Sequence, residues 1–158
     1  MGCEHIQLRF VDTVYPLGID AVPTNAPRVY RNSANGWSYA LNDTIVLDER
    51  AITSVGMEAS RFESQVPLWS ERPWNVFARI TIAGSKALSD ATATHVGRYL
   101  GIMIGDDLVD TPRIDTKLTT TFIQLRGLTW RAVADSLLTR AFRAIGAGCV
   151  VRNGRGGT

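Results

Sequence analysis

The apolar residues of this 158-residue chain change their spacing part-way along it, and that change limits the fold more than any motif does. Up to residue 82 they alternate. Ile6, Leu8 and Phe10 are interleaved with Gln7 and Arg9, and Ile45 and Leu47 oppose Thr44 and Asp48. Phe62, Val66 and Leu68 oppose Arg61, Glu63 and Gln65, while Val76, Ala78, Ile80 and Ile82 alternate with Phe77, Arg79 and Thr81. A two-residue period puts every second side chain on one face of a strand, so these stretches predict an antiparallel sheet with a dry and a wet face. Arg28–Arg31 and Trp37–Leu41 flank Asn35-Gly36, a pair that accepts the positive φ of a tight turn, and this predicts a hairpin. Pro16, Gly18, Pro23 and Pro27 interrupt any regular structure before it.

Beyond Ser89, a good helix cap, the spacing becomes three and four. Val96, Tyr99, Leu100, Met103 and Ile104 predict an amphipathic helix that Gly105 ends. Leu118 to Leu125 has strand character. Thr129 then caps a second helix, whose apolar face is Trp130, Val133, Ala134, Leu137, Leu138, Ala141, Phe142 and Ile145. The expected fold is α+β: an antiparallel β-sheet formed by the N-terminal two-thirds, followed by C-terminal amphipathic helices. One domain is expected over 1–146, with a flexible Gly/Arg-rich tail over 147–158.

Composition excludes several classes. A hydrophobic fraction of 45% with 20% charged residues is that of a folded domain. No apolar run approaches the roughly 20 residues that cross a bilayer, and the start carries no secretory pattern, so neither membrane contact nor secretion is expected. Cys3 and Cys149 are two thiols with no metal-binding spacing; they are unconnected or crosslink two subunits. The net charge of +2 is uneven: residues 1–125 hold 11 Lys+Arg against 14 Asp+Glu, and residues 126–158 hold six Arg against Asp135. Such a basic end contacts a polyanion or forms a solvated helix face with a loose tail.

Catalysis at neutral pH needs a nucleophile with its base, a carboxylate pair or a metal. His5 and His95 belong to no such spacing and are expected in structural or surface roles. Asp106-Asp107-Leu108-Val109-Asp110 matches a magnesium–diphosphate string only in isolation, and as carboxylates near a helix C-terminus it is expected to find basic partners or to lie beyond the helix. Gly84-Ser85-Lys86 lacks the upstream glycine of a phosphate loop. The chain is therefore expected not to be an enzyme, and to need no cofactor, metal or small-molecule substrate. Arg9, Arg50, Arg61, Arg79 and Thr81 on polar faces and turns offer donors to phosphate, or form an ordinary solvated face. Trp37, Trp69, Trp74 and Trp130 suit subunit contacts or core packing equally.

Sheet strands running into amphipathic helix resemble the coat proteins of single-stranded RNA bacteriophages. The resemblance rests on Ile6–Phe10, the Val29-Tyr30-Arg31 hairpin, Ser60-Arg61-Phe62, and the run from Val76 to Ile82 leading into residues 91–104. It implies a capsid subunit of the virion, made in the host cytoplasm, that dimerises to complete its sheet and assembles into a shell. It further implies that Arg50, Arg61, Arg79 and Thr81 bind RNA on the inner sheet face. Tyr99, Leu100, Met103 and Ile104, extended by Trp130 and Leu137, would form the subunit interface. A strand-like segment at 114–126 and a basic tail depart from that family. Two other readings stay open: a dimeric nucleic-acid-binding module, and a small α+β enzyme or ligand-binding domain with a pocket between sheet and helix, using Asp12, Tyr15 or His95.

Overall fold

The computed structural model describes residues 4–16, 28–60 and 73–146. Eight strands and two helices follow one another as β1 (Ile6–Tyr15), β2 (Val29–Arg31), β3 (Ser38–Asp48), β4 (Ile52–Ala59), β5 (Trp74–Ile80), α1 (Ile82–Ala93), β6 (Leu100–Ile104), β7 (Asp107–Asp110), β8 (Phe122–Thr129) and α2 (Arg131–Gly146). They form a five-stranded sheet in the order β2-β3-β1-β6-β7 and a three-stranded sheet in the order β4-β5-β8. All pairings between these strands are antiparallel. The α+β class read from the sequence holds. The arrangement is nevertheless two sheets, with α1 inserted between β5 and β6 and three strands following it.

The main core lies between the two sheets and α2. Leu8, Leu100, Ile102 and Ile104 from the large sheet meet Val76, Ala78, Ile80 and Leu125 from the small one, with Ala134, Leu137, Ala141 and Ala144 of α2. The large sheet is apolar on its other face too. Val11, Tyr39, Leu41, Met103 and Leu108 form a second cluster there, flanked by Tyr30, Trp37 and Tyr99.

That second cluster explains the largest departure from the sequence reading. Residues 96–104 are no helix: Leu100–Ile104 is strand β6, and all five of its residues are buried. A strand covered on both faces is a continuous apolar run, and such a run satisfies a spacing of three and four as readily as one of two. Gly105, at φ 58°, turns β6 into β7 and ends no helix. Helix α1 starts earlier, where the Thr81 hydroxyl accepts a hydrogen bond from the Gly84 N–H at 2.9 Å; Ser89 lies buried inside it.

Three smaller corrections have local causes. Ile45 and Leu47 do not share a face, because a bulge at Val46 pairs Leu8 with Leu47 and Arg9 with Ile45, leaving Ile45 44% exposed. Ile82 leaves the alternation of β5 to open α1 and is 85% exposed. Thr129 is the last residue of β8 rather than the cap of α2, whose first bond runs from the Ala134 N–H to the Trp130 carbonyl at 2.9 Å. The predicted hairpin is present as β2–β3 with Gly36 at φ 77°, though six residues join the strands. The expected Phe62–Leu68 strand and the tail lie outside the described residues, as do Cys3, Cys149 and Trp69.

Candidate functional site: an apolar cleft between the sheets

Strand β8 pairs with β5 on one side and forms the edge of its sheet on the other. Its Phe122–Gln124 stretch is one wall of a cavity of about 180 Å³, whose floor is Leu8, Leu100 and Ile102 of the large sheet. The remaining wall is the irregular strap of residues 111–121, which contributes Ile114 and Leu118 and, at the rim, Arg113 and Thr120. The lining is mainly apolar, with Arg113, Thr120 and Gln124 as its polar residues. Arg113 there faces Asp115 at 3.8 Å, with both side chains exposed.

The strap owes its shape to partners outside itself. At its start the Ile114 N–H donates to the Arg98 carbonyl at 2.8 Å and the Leu100 N–H to the Pro112 carbonyl at 2.9 Å. Further on, the Leu118 N–H donates to the hydroxyl of Thr92, a fully buried residue of α1, at 2.9 Å. That hydroxyl itself donates to the Leu88 carbonyl at 2.8 Å, so it is satisfied in both directions. Helix α1 thereby sets the height of the strap above the floor.

The far end of β8 is clasped to the large sheet. Arg126 Nη1 donates to the Val109 carbonyl and to Ser33 Oγ, each at 2.9 Å. Beside it Asp110 accepts from the Thr111 N–H at 2.9 Å, and buried Asn32 donates to the Thr111 hydroxyl at 2.8 Å. Burial pushes the Asp110 carboxyl above its ordinary range in spite of these bonds and of Arg126, and the same burial lowers Arg126.

The residues singled out in the sequence scatter over this frame. Arg50 is exposed in the turn after β3 and is paired with Asp48, whose carboxyl its hydrogen bonds hold below the ordinary range. Arg79 is exposed on β5, and Thr81 spends its hydroxyl capping α1. These three gather at one end of the small sheet, since the Thr81 N–H bonds the Ala51 carbonyl at 2.8 Å; Arg61 lies outside the described residues. Leu100, Met103, Ile104 and Leu137 are buried within the chain itself, so they present no helix face to a partner. Tyr99 is half-buried edge-on to Tyr39, and Trp130 is exposed.

His5 binds Glu49 at 2.7 Å, and His95 stacks flat on Phe10 with ring centroids 3.7 Å apart. Asp106 and Asp107 do find basic partners, Arg28 at 3.8 Å and Arg140 at 2.7 Å, but on a strand hairpin. No group of three or more His, Cys, Asp or Glu gathers in metal-binding geometry among the described residues.

Sequence reasoning missed the cleft, because its strap has no periodic pattern. Leu118–Leu125 reads as strand in the sequence, whereas the strand begins only at Phe122, and nothing local said that Ile114 and Leu118 would line a cavity. A second feature also went unread. On the open face of the small sheet, Phe77 and Phe122 stack with centroids 4.6 Å apart, beside Arg79. Gly56 makes room for them: a Cβ there would sit 2.7 Å from Phe77 Cζ.

No protein-family model and no curated protein matches the chain. Solved structures of similar fold include two of SecDF. One, described as a membrane component SecDF that enhances protein export, superposes with a TM-score of 0.59 at 16% identity, over 90% of this chain and 63% of that one. The other, SecDF in a super-membrane-facing form, gives 0.60 at 17% identity over 89% of this chain and 18% of that one. The chain thus spans less than two-thirds of either, and at these identities the likeness is one of fold.

Proposed function

We propose that this chain is a non-catalytic binding domain that holds an extended, apolar stretch of polypeptide in the cleft between β8, the strap and the large sheet. One observation carries the reading: a mainly apolar cavity of about 180 Å³ opens beside an edge strand. A cavity of that size takes one bulky apolar side chain, since an engineered cavity of ~150 Å³ holds benzene. An adjacent strand edge offers backbone groups to an extended chain, the mode of recognition known as strand addition. The fold shared with a component that enhances protein export supports a polypeptide ligand. Among the described residues, those that line the cavity are mainly apolar. No helix among the described residues is long and apolar enough to cross a membrane.

Fluorescence anisotropy with a labelled extended peptide carrying Phe and Leu tests this, against a peptide in which both are replaced by Ser. The apolar peptide binds and the polar one does not. Leu118→Trp, which fills the cavity from its half-exposed rim, weakens binding at least about tenfold, a loss of roughly 1.4 kcal/mol. Equal binding of both peptides, or an unaffected variant, contradicts the reading.

A second reading, the RNA-binding shell subunit implied by the coat-protein resemblance, is favoured by the Phe77–Phe122 pair beside Arg79. Exposed aromatic rings on an open sheet stack unpaired bases, and arginine adds phosphate contact. Under that reading, single-stranded RNA binds with an affinity that falls steeply with salt, and Arg79→Glu reduces it several-fold. Absence of salt-dependent binding removes it.

A further inference from the structure

The cleft has one wall that can move without breaking a sheet. Its floor belongs to β1 and β6, and β8 is laddered to β5, but the third wall is the strap. The first part of the strap is fixed. Tyr99 and Arg113 form an antiparallel bridge, and the Gly97 N–H donates to the Ile114 carbonyl at 2.7 Å. Its end is fixed too, by the Ile80 N–H on the Thr121 carbonyl at 2.9 Å and by the Thr120 hydroxyl, which bonds the N–H and carbonyl of Phe122.

Between those points, residues 115–120 are pinned by α1. Among the described residues, two hydrogen bonds tie the segment to the rest of the fold: the Leu118 N–H on the Thr92 hydroxyl at 2.9 Å, and the Ser85 hydroxyl on the Thr120 carbonyl at 2.5 Å. Ser85 and Thr92 stand seven residues apart, about two turns, so both hydroxyls lie on one stripe of the helix. Little apolar surface reinforces them. Asp115, Thr116, Lys117 and Thr119 are exposed, and half-buried Leu118 is the one aliphatic side chain of the segment to pack on the core. Lys117 attracts Asp90 of α1, but that exposed carboxylate is already bonded to Lys86 at 2.7 Å. Segments with few apolar contacts and few bonds open at lower cost than the strands around them.

We infer that residues 115–120 are a gate, which swings off α1 as one unit, hinged at Ile114 and at the Thr120–Phe122 turn, to admit the cleft's ligand. The inference rests on the cleft being the binding site. Opening withdraws Leu118 and Thr120 from the cavity wall, so an apolar side chain on a continuous polypeptide enters sideways. The cavity exists with the segment closed, so the gate shuts again over a seated side chain. Ser85, which does not line the cavity, thereby controls how fast the cleft fills and empties and leaves its affinity alone.

The test is Ser85→Ala, which removes the pin at the hinge and leaves the Leu118 bond to Thr92 in place. Alanine is the better helix former, so α1 is kept. In amide hydrogen exchange on the free chain, Leu118 exchanges at least about threefold faster in the variant, the effect of one lost hydrogen bond, while Ile123 and Leu125 are unchanged. Stopped-flow mixing with the labelled peptide carrying Phe and Leu then gives association and dissociation rates that both rise by that same factor, with an unchanged Kd, because each rate is proportional to the open fraction. Leu118 exchange at the parental rate means that the segment does not open as a unit, and overturns the inference. Faster exchange with unaltered peptide rates overturns the gate while leaving the cleft as the binding site. A peptide that binds neither chain removes the cleft reading itself, and the gate with it.

Discussion

Asp110 is a residue whose burial opposes its charge. Burial holds its carboxyl above the ordinary range, outweighing the Thr111 N–H and the nearby Arg126. A carboxyl raised in the folded state contributes stability that is full below its unfolded value and is lost as pH rises through the folded value. Asp110→Asn mimics the protonated form and keeps an oxygen to accept from Thr111. The variant is therefore more stable than the parent at neutral pH, and the two converge in acid, below the ordinary Asp range. Urea denaturation at a series of pH values checks this; a variant less stable at neutral pH would mean that the carboxylate's attraction for Arg126 outweighs its desolvation. Asp48 shifts the other way under Arg50, but at the surface, where such a pair adds little.

Arg140 shows how one side chain ties elements together. Its guanidinium bonds both Glu4 carboxylate oxygens at 3.1 and 3.2 Å, Asp107 at 2.7 Å and the Ile104 carbonyl at 2.8 Å, joining α2 to the start of β1 and to the β6–β7 turn. Arg140→Ala leaves two acids and a carbonyl without their donor, and is expected to cost about 1.5–3 kcal/mol, read by chemical denaturation. A loss below about 0.5 kcal/mol would make it an ordinary surface pair. Elements held by such distant partners are the ones a local reading of the sequence misses. β5 was legible because Val76, Ala78 and Ile80 alternate against a single core, and the body of α2 because its apolar spacing is sustained. β6 was not, since Tyr99 and Met103 look across the sheet at Tyr39 and Leu41, which lie some sixty residues away. The strap is likewise shaped by Thr92 and Arg98 rather than by its own residues.

At the scale of the whole molecule, the two sheets share one core yet leave a gap along β8. Arg126 closes one end of that gap and the strap roofs the other. The overall path of the chain is similar to that of a protein-export component at a TM-score of 0.59, a likeness of fold. The most direct measurement is a titration of the isotopically labelled chain with an extended apolar peptide, followed by amide chemical shifts. Binding in the cleft moves the amides of Ile114, Leu118, Ile123 and Gln124 together and saturably, while β4 and the Phe77–Phe122 face stay unchanged. Shifts confined to those other surfaces, or none at all, would contradict the cleft as the binding site.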